Sequence, residues 1–397
     1  MTSHAFTSDG LDRIQAMAQQ FVDRREVAGF VTAVHRKGES VIQTTGVQDF
    51  DTGTPMSENT VFRIASMSKA VSAVAALQLI DSGQLSLDDP VSAWLPELAA
   101  PRVLRTIESE LDDTVPVERP IVVRDLMRFT FGLGAIMTGE VPISATMAEA
   151  GVSPGAHSPA MDPDRYMAQI ATLPLAHQPG KDWLYHTGSD VLGVLLQRLT
   201  GTSLESHYRT HIFEPLGMPD TGFSVPEAAI DRFATAYEVG DSGALQVFDP
   251  AVGSAWAAPE FEAAGGGLVS TAPDYLRFAR MLMGGGEPEG TRVVSEASVR
   301  EMTHDQITPE EHQSFPSYAA FQGENGWGYG VSVTIGAGPL GHAEGTYGWV
   351  GGLNTHWTND PANDLVGLIL FQRQMTGPHD METSGAIWKA MYGAIPA

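Results

Sequence analysis

The chain has 397 residues, 43% of them hydrophobic and 18% charged, no cysteine, and a formal net charge of −25 at pH 7. The missing cysteine excludes disulfides, thiolate nucleophiles and Cys-ligated metals, and the acidic balance sets the chain against nucleic acid and anionic membranes as partners. The length exceeds what one simple core absorbs and points to two lobes or one large α/β unit.

The first stretch, MTSHAFTSDGLDRIQAMAQQFVDRREV, lacks a basic start followed by an apolar run. It reads as an amphipathic helix capped by Ser8 or Asp9, not as a signal peptide. No uncharged apolar run approaches the ~18 residues that span a bilayer, so a cytoplasmic location is expected. GFVTAVHRKGESVIQTTGVQDF then alternates about Lys37-Gly38-Glu39, the pattern of a β-hairpin. From Met67 to Ser82 the run is rich in Ala and Leu without Pro or Gly, and Gly83 stops it. That predicts a helix of about four turns, buried on most sides because its circumference is almost wholly apolar.

Residues 86–255 mix helical patterns such as SDVLGVLLQRLTG with long polar loops. Within them, residues 137–163 are rich in Pro, Gly, Ala and Ser without clear periodicity, and are expected to form a surface excursion lining a site. Strand patterns return in GWGYGVSVTIG, GLNTHWTND and DLVGLILFQRQM, and SGAIWKAMYGAI predicts a last helix. The expectation is a mixed α/β (α+β) fold. Residues 1–85 and 256–397 form an antiparallel sheet domain flanked by helices, and residues 86–255 form a mainly helical lobe.

Lysine is scarce, occurring only at positions 37, 69, 181 and 389. Ser66 and Lys69 are three apart at a helix start, so their side chains share a face. The helix end supplies free backbone N–H groups and a positive dipole end, and the Ser66 N–H can form half of an oxyanion hole. Burial depresses a lysine pKa and makes Lys69 a proton acceptor. The bland alternative is a helix-capping Ser66 and a Lys69 that snorkels to water. In KDWLYHTGSDVLG, Tyr185 precedes an apolar helix, and a neighbouring cation would favour its phenolate as general base. Gly348, Gly351 and Gly352 surround Trp349 on a predicted strand, where a ligand can approach the backbone closely.

These three segments, in this order, resemble the serine β-lactamase and DD-peptidase superfamily, nearest to class C β-lactamases and family VIII carboxylesterases. Ser66-Met67-Ser68-Lys69 matches its first motif, Tyr185-His186-Thr187 the second and Trp349-Val350-Gly351 the third. LSLDDPVSAWLPEL, IVVRDLMRFTFGL, IFEPLGMPDTGF and GGGLVSTAPDYLRFARML extend the likeness over nearly the whole chain. The resemblance implies a β-lactamase-like fold, catalysis by Ser66, Lys69 and Tyr185, a second oxyanion N–H from Gly352, and substrate contacts from Trp349, Gly351 and Thr187. Neither metal nor cofactor is implied.

Thr187 stands where lactamases usually place an Asn, and Trp349 where they place a cationic Lys. Without that charge an anionic β-lactam loses a partner worth about 1–3 kcal/mol, whereas a Trp suits a neutral ester. The reading is a serine carboxylesterase cleaving small esters through an acyl-enzyme. The alternatives are a β-lactamase, an amide or peptide hydrolase, an acyltransferase, or a non-catalytic binding module. The oligomeric state is left open.

Gly151-Val152-Ser153-Pro154-Gly155 fits the Gly-x-Ser-x-Gly elbow but lacks the strand before and helix after that the elbow requires. Gly265-Gly266-Gly267 is no phosphate loop, since no Lys-Ser/Thr follows. His186, His342 and His356 adjoin the motifs and are expected to be hydrogen-bonded or rim residues.

Overall fold

A computed structural model describes residues 5–396 except 138, 140, 288, 289, 323, 324, 337, 339, 378 and 379. Strands β1 (Gly29–Arg36) and β2 (Glu39–Gly46) are joined by Lys37 and Gly38, at φ 49° and 80°. Two consecutive positive φ values give the tight turn whose twist matches the strands. Arg36 therefore pairs with Glu39, and Gly29 with Gly46.

Among the described residues, β1 and β2 belong to a seven-stranded antiparallel sheet completed near the other chain end. Its remaining strands are β3 (Gly326–Trp327), β4 (Ser332–Val333), β5 (Tyr347–Gly351), β6 (Thr355–Asp360) and β7 (Leu365–Leu370). The spatial order is β2-β1-β7-β6-β5-β4-β3. The interior strand β7 reads LVGLIL, is buried throughout, and alternates between two cores. Leu365 and Ile369 join Phe30 and Val34 under the terminal helices α1 (Ser8–Asp23) and α5 (Glu382–Tyr392). Val366, Leu368 and Leu370 face the main core on the other side. A strand covered on both faces needs this continuous apolar run.

Helix α2 (Ser68–Asp81) lies in the main core with α3 (Thr187–Thr200) and α4 (Ala272–Met283). Its residues from Ser68 to Leu77 are all buried, which accounts for its apolar circumference. The observed start differs from the expected one: Ala65–Met67 forms a 3₁₀ turn leading into the helix. Gly83, at φ 70°, ends the run as expected. The cap of α1 also differs, because the Thr7 hydroxyl, and not Ser8 or Asp9, accepts from Gly10 N–H at 3.1 Å. The excursion of residues 137–163 contains the helix Pro142–Glu149, where no periodicity was read. No helix among the described residues is long and apolar enough to cross a membrane.

Candidate active site

The turn carrying Ser66 is held from several sides. Ile64 N–H donates to Leu268 O at 3.0 Å, and the Ile64 carbonyl accepts from the Thr355 hydroxyl at 3.0 Å. Ser68 Oγ donates to Ala65 O at 2.6 Å and accepts from Leu268 N–H, while Tyr275 OH donates to Met67 O. Just upstream, fully buried Arg63 bonds Asp249, with Nε 2.8 Å from Oδ2, and its guanidinium lies over the Phe233 ring. Desolvation draws that guanidinium down to about 10 against the pull of Asp249. Ala65 itself sits at φ 44°, a left-handed conformation costing a residue with a Cβ about 1–2 kcal/mol. These bonds hold the strained turn and leave Ser66 at the wall of a cavity.

Lys69 is 1% exposed. Its Nζ lies 3.0 Å from Ser66 Oγ and 3.0 Å from His186 Nδ1, and donates to Gly265 O. Burial pulls its pKa down to about 7, with the Asp190 carboxylate opposing. The Tyr185 ring lies 4.6 Å from the same nitrogen. Tyr185 OH accepts from Trp349 Nε1–H at 2.6 Å. Burial pushes the Tyr185 phenol above its ordinary value, with hydrogen bonds to Ser66 and Trp349 opposing. Desolvation thus works against the phenolate that a neighbouring cation was expected to favour, and Lys69 is the group brought near neutrality.

Of the expected site residues, Ser66, Lys69, Tyr185 and Trp349 come together, and Gly352 lines the same cavity as Ser66. Two residues expected at the substrate are placed elsewhere. Thr187 is 1% exposed and lies behind the cavity wall at the start of α3. The reason is a tight turn at His186 (φ 83°, ψ −66°), closed by Thr187 N–H to Tyr185 O, which presents His186 to the site instead. Gly351 also lies outside the lining: a Cβ there would stand 2.5 Å from Ile64 O and 2.3 Å from Thr355 Oγ1. Its missing side chain lets β5 approach the nucleophile turn.

The cavity has a volume of about 670 Å³, within the range of small-molecule sites. None of its described lining residues is Lys, Arg, Asp or Glu. Pro154, Gly155 and Ala156 of the excursion line it, as does Phe321, stacked on Tyr185 at 4.8 Å. Exposed Ser153 has neither a strand before it nor a helix directly after it, so the elbow pattern there lacks its frame. Phe321, Trp183, Trp327 and Phe129 form an aromatic box about Tyr185 that motif reading missed. Of the two expectations for His186, hydrogen-bonded or rim, the first holds, and its partners are Lys69 and Asp190, the latter four residues on in the sequence. Among the described residues no group of three or more His, Cys, Asp or Glu is placed to hold a metal ion.

An antiparallel sheet with terminal helices on one face and a buried Ser-x-x-Lys helix on the other defines the serine-hydrolase type of β-lactamase-like fold. Residues 14–391 match the family model described as Beta-lactamase, and the chain belongs to that family. Protein Rv1367c of Mycobacterium tuberculosis is 39% identical over 375 residues, covering 91% of this chain and 90% of that protein. Esterase EstB of Burkholderia gladioli is 30% identical over 403 residues, covering 95% and 94%. The solved structure of EstCE1, described as a hydrolase with promiscuous acyltransferase activity, superposes with a TM-score of 0.79 at 24% identity. That match covers 97% of this chain and 98% of the other and bears on the fold.

Proposed function

We propose that the protein is a serine carboxylesterase acting on neutral, largely apolar esters through an acyl-enzyme. The observation that carries this reading is Lys69 Nζ at 3.0 Å from Ser66 Oγ, with its pKa drawn to about 7. The neutral amine takes the Ser66 proton as Oγ attacks the ester carbonyl. The N–H groups of Ser66 and Gly352 receive the oxyanion. Collapse of the tetrahedral intermediate breaks the bond to the alkoxy oxygen, which leaves as the alcohol with a proton from Lys69, relayed by the Tyr185 hydroxyl. Water then attacks the acyl group by the same route and frees Ser66.

The esterase reading draws support from the name of EstB and from a cavity whose described lining carries no ionic side chain. Its volume of about 670 Å³ widens the expected substrates from small esters to bulkier ones. A β-lactam carboxylate would find no cationic side chain among those lining residues.

The test is a panel of p-nitrophenyl esters beside a chromogenic cephalosporin, with mass spectrometry after a covalent serine inhibitor. Ser66→Ala is expected to abolish ester hydrolysis and labelling, and Ser153→Ala to leave most of both. An adduct on a Ser153 peptide would overturn the assignment.

A further inference from the structure

Lys69 does not meet Ser66 alone. His186 Nε2 lies 3.1 Å from Asp190 Oδ2, one helical turn further on, and Asp190 Oδ1 accepts the Gly265 N–H at 2.8 Å. Gly265 O accepts from Lys69, so the four groups close a ring behind the nucleophile. Asp190 is 3% exposed, and His186 is held in a conformation rare for a residue with a Cβ. Strain of this kind persists only where surrounding contacts impose it. A Cβ on Gly265 would come within 3.0 Å of Asp190 Oδ1 and 3.1 Å of His186 Nε2, so the third side of the ring leaves little room for a side chain.

The hydrogen count fixes the direction of every bond. An ionised Asp190 only accepts, so His186 Nε2 carries the proton and Nδ1 is a bare acceptor. Lys69 then spends one N–H on His186 Nδ1 and another on Gly265 O. Its third position faces Ser66 Oγ. In the neutral amine that position is the lone pair, aimed at the proton it must take.

We propose that His186 and Asp190 form a positioning dyad that orients the Lys69 lone pair at Ser66, extending the catalytic set into a Ser66–Lys69–His186–Asp190 line. The proposal rests on the serine hydrolase reading above and assigns neither residue a contact with substrate. The dyad acts as the carboxylate does behind a catalytic histidine: it fixes a tautomer and a direction.

The titratable groups facing Lys69 are Tyr185 and His186, with Asp190 behind, and Tyr166 approaches Asp190 from the helix Pro163–Ile170. Asp190 is the charge that holds the Lys69 pKa up against burial. Its removal therefore lowers that pKa further.

The experiment measures kcat, KM and the pH profile of kcat/KM on a p-nitrophenyl ester for four variants: Asp190→Asn, His186→Leu, His186→Asn and Ser66→Ala. His186→Leu is expected to lose about 100-fold in kcat with KM little changed, the scale of a misaligned catalytic group. His186→Asn, whose amide oxygen can accept from Lys69, recovers at least about tenfold of that loss. Asp190→Asn moves the acid limb of the profile to lower pH while kcat falls. An inactive Ser66→Ala together with a His186→Leu variant within about threefold of the parent, and an unmoved limb in Asp190→Asn, would overturn the dyad but leave the hydrolase reading standing. An active Ser66→Ala would overturn both. Should Asp190→Asn fail to fold, the Leu-against-Asn comparison at position 186 decides alone, and equal kcat in those two variants overturns the proposal.

Discussion

At Trp349 the departure from the lactamase pattern has a chemical consequence beyond lost charge. Its indole Nε1–H donates to Tyr185 OH, so the phenol oxygen is engaged as an acceptor and its own hydrogen is free to point toward Ser66 and the leaving group. The ring also packs edge-on against Trp327 at 4.7 Å. Trp349→Phe retains an aromatic ring there but removes the donor. We predict a fall in kcat of about 3- to 10-fold with the fold intact, the scale of one neutral hydrogen bond. An unchanged kcat would remove the indole N–H from the mechanism. Lys69 supplies a second prediction at this scale. Only the neutral amine accepts the Ser66 proton, and burial has lowered its pKa to about 7. The sign is then fixed: kcat/KM falls as pH drops below about 7 and levels off above it. A profile flat from pH 5 to 9 would exclude Lys69 as the titrating base.

At the scale of elements, the approach of β5 to the nucleophile turn depends on the missing side chain at Gly351. An added methyl would strike the Ile64 carbonyl, which already accepts the Thr355 hydroxyl. Backbone cannot move aside as a flexible side chain does, so strand and turn must separate. Gly351→Ala is expected to cost about 1–3 kcal/mol in stability and to lower kcat, because the Gly352 N–H retreats with the strand. Gly352→Ala is the control, since a Cβ there meets nothing within 4 Å. Its Tm should match the parent within about 1 °C. Equal melting temperatures for the two variants would show that β5 is not held this closely.

The same elements show what the sequence could reveal. Helix α2 and the β1–β2 hairpin were legible because local periodicity and a Lys-Gly turn specify them. So was the pairing of Ser66 with Lys69, a matter of three residues along one chain segment. The caps were less so, since Thr7, Ser8 and Asp9 are all competent capping residues and tertiary contacts choose among them. The ring through His186, Asp190 and Gly265 was hidden for another reason. It joins segments 196 and 75 residues apart through the Gly265 carbonyl and the Gly265 N–H, neither of which has a sequence signature. The positive φ at Ala65 and at His186 was equally invisible, because alanine seldom adopts it and the enrichment of histidine there is too slight to mark one position. The second of these turned the substrate contact expected of Thr187 into a buried helix start.

For the molecule as a whole, charge and cavity act in the same direction. The chain carries a formal net charge of −25, and the described cavity lining contributes no cation to offset it. An anionic substrate is therefore repelled on approach and unpaired on arrival. A neutral ester meets neither penalty and gains from the Phe321 and Trp349 faces. We predict kcat/KM for the best p-nitrophenyl ester at least ~100-fold above that for penicillins or cephalosporins, roughly 3 kcal/mol in transition-state stabilisation. The two causes separate experimentally. Raising ionic strength to 1 M shortens the Debye length to about 3 Å, which relieves the long-range repulsion but supplies no partner in the cavity. Salt should thus raise the cephalosporin rate modestly and leave the neutral ester unchanged. Trp349→Lys supplies the local partner and should narrow the remaining gap at any salt concentration, with binding of the neutral ester weakened by the lost indole. If the parent protein turns over a cephalosporin as fast as its best ester, the uncharged cavity does not govern selectivity and the esterase reading fails.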